Sequence, residues 1–312
     1  MTRLTRVGPD DVALDAWCAL FAAWHEADTG DRTDADLLRR AVRAHGPASG
    51  AVRWLAQRDG AAAGVALLRG GDGGSWAFLR LYVAPAHRRQ GVGTALLEQV
   101  SPGAAVRAVV TAGGAGEGFA TAAGATVLLR LAELVQTLPA GGPELPGHAP
   151  ALPTGHRLVL WQEAAPEPLL PSYAAAKTFI ADAPGAGLQV DPAWTPSRIR
   201  AWEASLRAQG RTAWGAAVLL GPAVVAFTEL STDDGPHAAQ HDTVVVPGHR
   251  RRGLGTAVKS ALVAHVQRHR PDVTEVRSTV NAENAAVVAL DRRLGYRVAR
   301  HRLLVELARR TP

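Results

Sequence analysis

The chain has 312 residues, 47% of them hydrophobic and 20% charged, which suits soluble globular structure and a length of about two domains. No stretch approaches the roughly 18 uncharged apolar residues of a membrane span. Met1–Val7 lacks the apolar core of a secretory leader, and a single cysteine, Cys18, excludes an internal disulfide and a cysteine-based zinc site. The formal net charge of +6 is carried almost wholly by arginine, because Lys177 and Lys259 are the only lysines.

The arginines cluster in two loops and are otherwise spread among acids without interleaved aromatic residues, a pattern that argues against nucleic-acid binding. A cytoplasmic protein is expected, monomeric or homodimeric, with neither a membrane nor a nucleic acid as partner. Cys18 lies among apolar helical residues and is expected to be packed inside.

The first half opens with a short strand near Leu4–Val7. Asp10 and Asp11 can cap a helix carrying Ala13, Trp17, Leu20, Phe21 and Trp24 on one face. A second helix is predicted over Asp34–Ala44. Ala51–Ala56 and Ala61–Leu68 flank Asp59-Gly60, a hairpin signal. Trp76–Val83 reads as a strand, followed by an Arg- and Gly-rich loop and a short helix ending by Pro102. Val106–Val110 is a strand, Gly113–Gly118 a connector into a helical piece that ends at Gly124, and Thr126–Leu138 a closing strand. Residues 139–155 are rich in Pro and Gly without hydrophobic period and read as a linker.

The second half repeats the order. His156–Trp161 is a strand and Leu170–Ala181 a helix. Thr195-Pro196 starts another helix with a cap and a proline at its first position. Ala213–Leu220 and Val224–Leu230 flank Gly221-Pro222 as a hairpin, and Ser231–Gln240 reads as a polar loop. Asp242–Val246 is a strand before a second Arg- and Gly-rich loop. A longer helix, the strand Val273–Thr279, the helix Glu283–Leu294 and the strand Tyr296–Leu307 complete the chain. Domains are therefore expected at 1–138 and 156–312.

The two loops organise this repeat. His87-Arg88-Arg89-Gln90-Gly91-Val92-Gly93-Thr94-Ala95 and His249-Arg250-Arg251-Arg252-Gly253-Leu254-Gly255-Thr256-Ala257 align without a gap. Paired glycines allow a tight turn and a close approach to a ligand. Amides at the following helix N-terminus favour an anion, and arginines add charge-assisted hydrogen bonds to phosphate oxygens. Each loop is a candidate diphosphate cradle. Neither has the Gly-Lys-Ser/Thr of a P-loop nor the Gly-x-Gly-x-x-Gly of dinucleotide folds.

Arg-x-x-Gly-x-Gly between a strand and a helix, present twice, resembles the acyl-CoA loop of the GNAT N-acetyltransferase superfamily, and the resemblance covers nearly the whole chain. It implies an α/β (α+β) architecture of two tandem domains, each a mixed, mostly antiparallel sheet flanked by helices. It also implies acetyl-CoA as co-substrate, no metal, and a small-molecule or peptide amine as acceptor. By carry-over, Leu81, Tyr82 and Val83, and Val244, Val245 and Val246, would pair with the pantetheine arm. Arg88, Arg89, Gln90, Gly91, Val92, Gly93 and Thr94, with Arg250, Arg251, Arg252, Gly253, Leu254, Gly255 and Thr256, would hold the diphosphate.

Asn281 and Asn284, followed by Leu294-Gly295-Tyr296, resemble a further family pattern near the CoA arm. Helix capping is an equal reading of Asn281. The first half lacks these asparagines, so the second domain is expected to be catalytic and the first a cofactor-holding or scaffold domain.

Acyl transfer to an amine requires a free lone pair, a polarised thioester and a proton for the thiolate. Glu229 and Asp242 are the best-placed acids for base or substrate-ammonium roles. His241 is expected on the opposite face of the strand from Asp242 by the two-residue period. The family's proton-donating tyrosine falls at Asp291 in one half and Ala120 in the other, so the general acid is unassigned. A non-catalytic acyl-CoA-binding or regulatory protein on the same fold is the alternative. His265 and His269 have helical metal-pair spacing without the accompanying Glu, and read as a helix face.

Overall fold

The computed structural model describes residues 1–29, 34–45, 50–70, 76–100, 105–139, 151–183, 188 and 193–308. The first half contains β1 (Thr2–Arg6), α1 (Leu14–Thr29), α2 (Ala35–His45), β2 (Ala51–Arg58), β3 (Ala61–Gly70), β4 (Trp76–Val83), α3 (Val92–Val100), β5 (Ala105–Thr111), α4 (Ala115–Ala122) and β6 (Thr126–Thr137). The second half runs β7 (His156–Gln162), α5 (Leu170–Lys177), α6 (Pro196–Ala208), β8 (Thr212–Leu220), β9 (Ala223–Thr232), β10 (His237–Val245), α7 (Leu254–His269), β11 (Glu275–Asn281), α8 (Ala285–Arg293) and β12 (Arg297–Leu307). The order of elements in each half is the one the sequence predicts. Most of the linker, 140–150, lies outside the described residues.

Local chemistry sets these boundaries. Asp34 Oδ1 accepts from the amides of Asp36 and Leu37 at 2.7 and 3.1 Å and starts α2. Thr195 Oγ1 accepts from Arg198 N at 3.2 Å, with Pro196 at the first position of α6. Helix α5 passes into a 3-10 turn at Thr178–Asp182, so the predicted helix ends in a tighter winding.

The chain forms two compact units, and their boundaries differ from the 1–138 and 156–312 division. One unit comprises 1–128 and 303–312; the other comprises 129–302. The first half therefore gives most of its closing strand, and the second half the end of its own, to the other unit. In the first unit β1 to β5 lie in order, with the end of β12 beside β5. Leu303 and Val305 pack there with Ala120, against Ala108, Val110, Ala112 and Ala125, and Arg107 holds Glu306 at 2.7 Å. In the second unit β6 pairs antiparallel with β11 from Glu275↔Thr137 to Asn281↔Leu131. There Ala132, Leu134 and Leu138 join a core with Val258, Leu262 and Val276. Beyond β11 the order continues β10, β9, β8, β7.

Two strand details differ from the sequence reading. The expected loop 231–240 is mostly strand: β9 runs to Thr232 and β10 begins at His237. Its polar side chains find partners within the sheet, as where Trp214 Nε1 donates to Thr232 Oγ1 at 2.9 Å. A bulge between Gln240 and Thr243 interrupts the β9–β10 register and hides the alternation that would have marked a strand.

Candidate active site

Each unit contains a parallel strand pair that separates after three residue pairs. In the first unit, β4 pairs with β5 only from Trp76↔Ala105 to Phe78↔Arg107. In the second, β10 pairs with β11 only from His237↔Glu275 to Ala239↔Arg277. Beyond these pairs β4 and β10 keep an antiparallel neighbour on one side and face a widening groove on the other. Leu81–Val83 lie on β4, and Val244 and Val245 on β10, past the last parallel pair, with Val246 directly after β10. One acceptor is already used in each: Arg88 Nε donates to Val83 O at 3.1 Å, and Arg250 Nε donates to Val245 O at 3.0 Å.

The loops that follow share a backbone conformation. Arg89 and Arg251 have φ 60° and 62°, and Gly91 and Gly253 have φ 80° and 76°. Left-handed residues alternating with ordinary ones turn successive amides toward one point, a concavity suited to an anion. An arginine in this region is a strained choice for a side-chain-bearing residue. Helices α3 and α7 begin directly after each nest and add their amide ends.

The second glycine of each loop differs in its surroundings. A Cβ at Gly255 would lie 3.4 Å from Leu290, whereas one at Gly93 would lie 3.2 Å from Phe119, the residue at the corresponding place. At the mouth of the second groove, Asn281 Oδ1 accepts from Glu283 N at 2.9 Å and Asn284 Oδ1 accepts from Val287 N at 3.3 Å. Both asparagine oxygens serve the turn into α8.

The acids meet around an unforeseen lysine. Glu229 on β9 and Asp242 in the β10 bulge both accept from Lys177 Nζ, at 2.5 and 2.6 Å. Tyr173, one helical turn earlier on α5, donates its hydroxyl to Glu229 Oε1. The ammonium is caged by the rings of Trp194 (4.3 Å), Phe227 (5.3 Å) and Trp202 (5.4 Å). Beneath the cage Tyr173 packs edge-on against Trp161 and Phe227. Gly215 makes room for Trp161: a Cβ there would fall 2.1 Å from the indole.

Lys177 and Glu229 are buried, with side chains 1% and 2% exposed, while Asp242 is 33% exposed and is the acid that reaches the surface. Burial pushes the Lys177 pKa down, but Glu229 and Asp242 outweigh it and the ammonium is held charged. Burial raises the Glu229 carboxyl above its usual range, and Lys177 opposes that rise. A lysine within the uncharged run Leu170–Ala181 was the signal that could have found this cluster.

His241 and Asp242 share a face, contrary to the expected alternation. His241 Nε2 lies 2.6 Å from Ser231 Oγ, and Ser231 is two residues from Glu229 on β9. His241 also packs edge-on against Trp202, the indole that faces Lys177. The bulge, which places two residues opposite one, turns both side chains inward. Burial first, then the Arg211 charge, push the His241 imidazole down to about 4, so it is neutral at pH 7.

The first unit has none of this. Its register runs unbroken between Gly64↔Val83 and Gly70↔Ala77, and aligning the loops sets Leu67 and Arg80 at the places of Glu229 and Asp242. The position of the missing tyrosine also separates the halves. Asp291 is fully buried against Lys259 Nζ, which sits over the Tyr296 ring at 4.7 Å. The matching residues in the first half are the apolar Leu97 and Ala120. Asp291 is committed to Lys259 inside the core of the second unit.

Elsewhere, Cys18 is buried and its thiol is pushed up to about 11, chiefly by that burial, so it is unreactive. His265 and His269 lie on α7 beside Trp214, with ring centroids 5.7 and 5.8 Å away, and His269 is exposed on that helix face.

Splayed strand pairs, nests and helix starts define the acyltransferase fold of the GNAT class. The chain belongs to the acetyltransferase (GNAT) family, whose model matches twice, over residues 13–106 and 176–296. Among solved structures it is similar to a tandem GNAT protein from the clavulanic acid biosynthesis pathway, with 23% identity, TM-score 0.81 and 100% of both chains covered. It is also similar to a GCN5-related N-acetyltransferase from Sphaerobacter thermophilus, with 20% identity, TM-score 0.71 and 99% and 96% of the two chains covered. A glucosamine N-acetyltransferase region of a fungal multi-domain β-N-acetylglucosaminidase matches at 15% identity and TM-score 0.67, over 98% of this chain and 38% of that one. No curated protein matches the chain.

Proposed function

We propose that the protein is an N-acyltransferase that moves an acetyl group from acetyl-CoA to a primary amine, with the second unit catalytic. The observation that carries this reading is the position of Asp242, a partly exposed carboxylate in a strand bulge where the β10–β11 groove opens. The first unit has the groove and the nest without the acid. It serves as a cofactor-holding or scaffold domain.

In this reading Arg250–Thr256 hold the diphosphate and the free edge of Val244–Val246 aligns the pantetheine. Asp242 holds the acceptor ammonium and takes its proton, directly or through water. Glu229 lies behind Lys177 and does not touch the acceptor; it fixes the lysine that orients Asp242. An amide N–H on the strand before the loop stabilises the oxyanion as the amine adds to the thioester carbonyl. The C–N bond forms, the C–S bond breaks, and the proton lost by the attacking nitrogen passes through water to the leaving thiolate.

A non-catalytic acyl-CoA-binding role is the second reading, favoured by the absence of the tyrosine from both halves. Release of CoA thiol with a panel of amines separates the two. Calorimetric titration with acetyl-CoA tests the cradle assignment. One site lost in Gly253→Glu assigns binding to the second unit, and two sites falling to one assign it to both. No binding refutes both readings.

A further inference from the structure

The row of the sheet that holds the acids in the second unit carries arginines in the first. In the second unit Gly215 lies opposite Glu229 across β8 and β9, and Asp242 follows in the β10 bulge. Aligning the loops sets Arg53, Leu67 and Arg80 at those three places, and they too are paired across the strands, Arg53↔Leu67 and Leu67↔Arg80. Directly paired residues share a face of the sheet, here the face that α1 covers. The guanidinium of Arg53 lies over the Trp17 ring at 5.8 Å, and that of Arg80 over the Trp24 ring at 6.0 Å. Trp17, Phe21 and Trp24 follow one another along α1 with ring centroids 4.8 and 5.1 Å apart.

Arg53 is buried without a counter-charge. It is 6% exposed, its Nε has no hydrogen-bond partner, and it makes no ion pair among the described residues. Burial, and then the charge of Arg69, press its pKa downward. Arg69 is a diagonal neighbour on the same face, because Ala51↔Arg69 stands two residues from Arg53↔Leu67 in the register. A buried guanidinium is ordinarily paired. Left unpaired, its field is screened less than that of a solvated charge. Arg80 stands two strand spacings away, about 10 Å.

Arg80 is exposed and sits where the groove of the first unit begins. It lies two residues past Phe78, the last residue of β4 paired with β5, and one residue before Leu81–Val83. Tyr82, on the same face, is 6.4 Å from Trp24, and the guanidinium of Arg88 lies over its ring at 6.0 Å. Cationic and aromatic groups thus run along β4 from the nest to the start of the groove.

We infer that the first unit holds an acyl-CoA whose acyl group ends in a carboxylate, with Arg80 as the counter-ion and Arg53 supporting it through its field. This rests on the reading of the first nest and β4 as a CoA cradle, and it names what that cradle selects. With the pantetheine along Leu81–Val83, at about 3.3 Å per residue, Arg80 is within about 10 Å along the strand. An acyl chain of about three or four carbons and an arginine side chain cover that span together. Where the second unit meets an acceptor ammonium with Asp242, the first meets a carboxylate with Arg80.

The test uses two stable thioethers, the adducts of CoA with acrylic acid and with acrylamide, which match in shape and differ in charge. Calorimetry on Gly253→Glu, whose second nest is blocked, reads the first unit. The acid adduct is expected to bind at least about tenfold more tightly than the amide adduct. Arg80→Gln in the same background should erase that preference by weakening the acid adduct alone, and Arg53→Met should reduce it by about threefold. Gly91→Glu, which leaves only the second nest, should bind the acid adduct no better than the amide. Equal affinities in Gly253→Glu, or a preference that survives Arg80→Gln, overturn the inference and leave the acyl-CoA reading standing. Binding to the wild type that Gly253→Glu abolishes, with circular dichroism unchanged, does the same and makes the first unit a scaffold. If Gly253→Glu fails to fold, the wild type decides: the acid adduct should show a tight site that Arg80→Gln removes, and the lack of such a site overturns the inference. Binding of neither adduct to the wild type overturns the acyl-CoA reading as well.

Discussion

Lys177→Met is the sharpest perturbation of the site. It removes the one cation from a cluster that holds two carboxylates, one of them on a side chain only 2% exposed. Methionine keeps most of the volume inside the cage of Trp194, Trp202 and Phe227, so the loss is electrostatic rather than a cavity. Removing one partner of a buried ion pair costs about 3–5 kcal/mol, because the other charge is left uncompensated. Here the cost has a ceiling, since Glu229 can take a proton instead of staying charged. At about 1.36 kcal/mol per pKa unit, that relief grows as pH falls. The variant should therefore lose about 3–5 kcal/mol at pH 7 and progressively less toward pH 5. Urea unfolding read by amide exchange in β9, at both pH values, measures the difference. Lys177→Met/Glu229→Gln, which deletes both buried charges, should recover most of the stability while leaving Asp242 without its clamp and the amine KM raised. A pH-independent loss, or a loss below about 1 kcal/mol at pH 7, would refute the claim that Lys177 compensates a buried charge.

Three further outcomes are expected. Lys259→Leu or Asp291→Ala alone should each cost about 3–5 kcal/mol, whereas together they install the apolar pair that the first half already uses and should cost less than either, as a double-mutant cycle by urea denaturation would show. His241 is depressed from 6.5 to about 4 in the folded chain. The unfolded chain binds the extra proton between those values, so stability present above pH 6.5 should decline by up to about 3 kcal/mol as pH falls to 4. His241→Gln should flatten that portion of the pH profile, and an unchanged profile would contradict the assignment. Truncation after Arg302 removes Leu303 and Val305 from the first unit. At about 1.5–3 kcal/mol for each buried side chain, this is a large share of a domain's stability. Limited proteolysis should then cut within 1–128 while 129–302 stays protected, and equal protection of both would count against the exchanged strands.

Much of this structure is written in local pattern, and what is hidden follows from what local pattern cannot carry. The repeated loop gives the family, the element order and the grooves, because glycine, arginine and strand-to-helix punctuation act over a few residues. Periodicity marks Thr126–Leu138 as a strand without naming its partner. Both closing strands come from one repeated design, so the edge of either unit can accept either strand. The bulge conceals Ser231–Gln240, since one inserted residue breaks the two-residue rule and turns His241 to the side of Asp242. Glu229 and Asp242 stand out as acids, but their partner does not. Lys177 is remote in sequence, and only the packing of α5 across β9 and β10 brings its ammonium between them.

The burial of both lysines has a consequence for handling the protein as a chemical object. Lys177 and Lys259 are the only lysine amines in the chain, and each is sealed and protonated or paired against a carboxylate inside the second unit. The folded surface draws its positive charge from guanidinium groups, which thioesters and succinimidyl esters do not acylate under ordinary conditions. The folded chain thus offers no exposed lysine to an activated acyl group. Any lysine label that does appear reports the opening of one identifiable unit, and the chain carries its own gauge of that event.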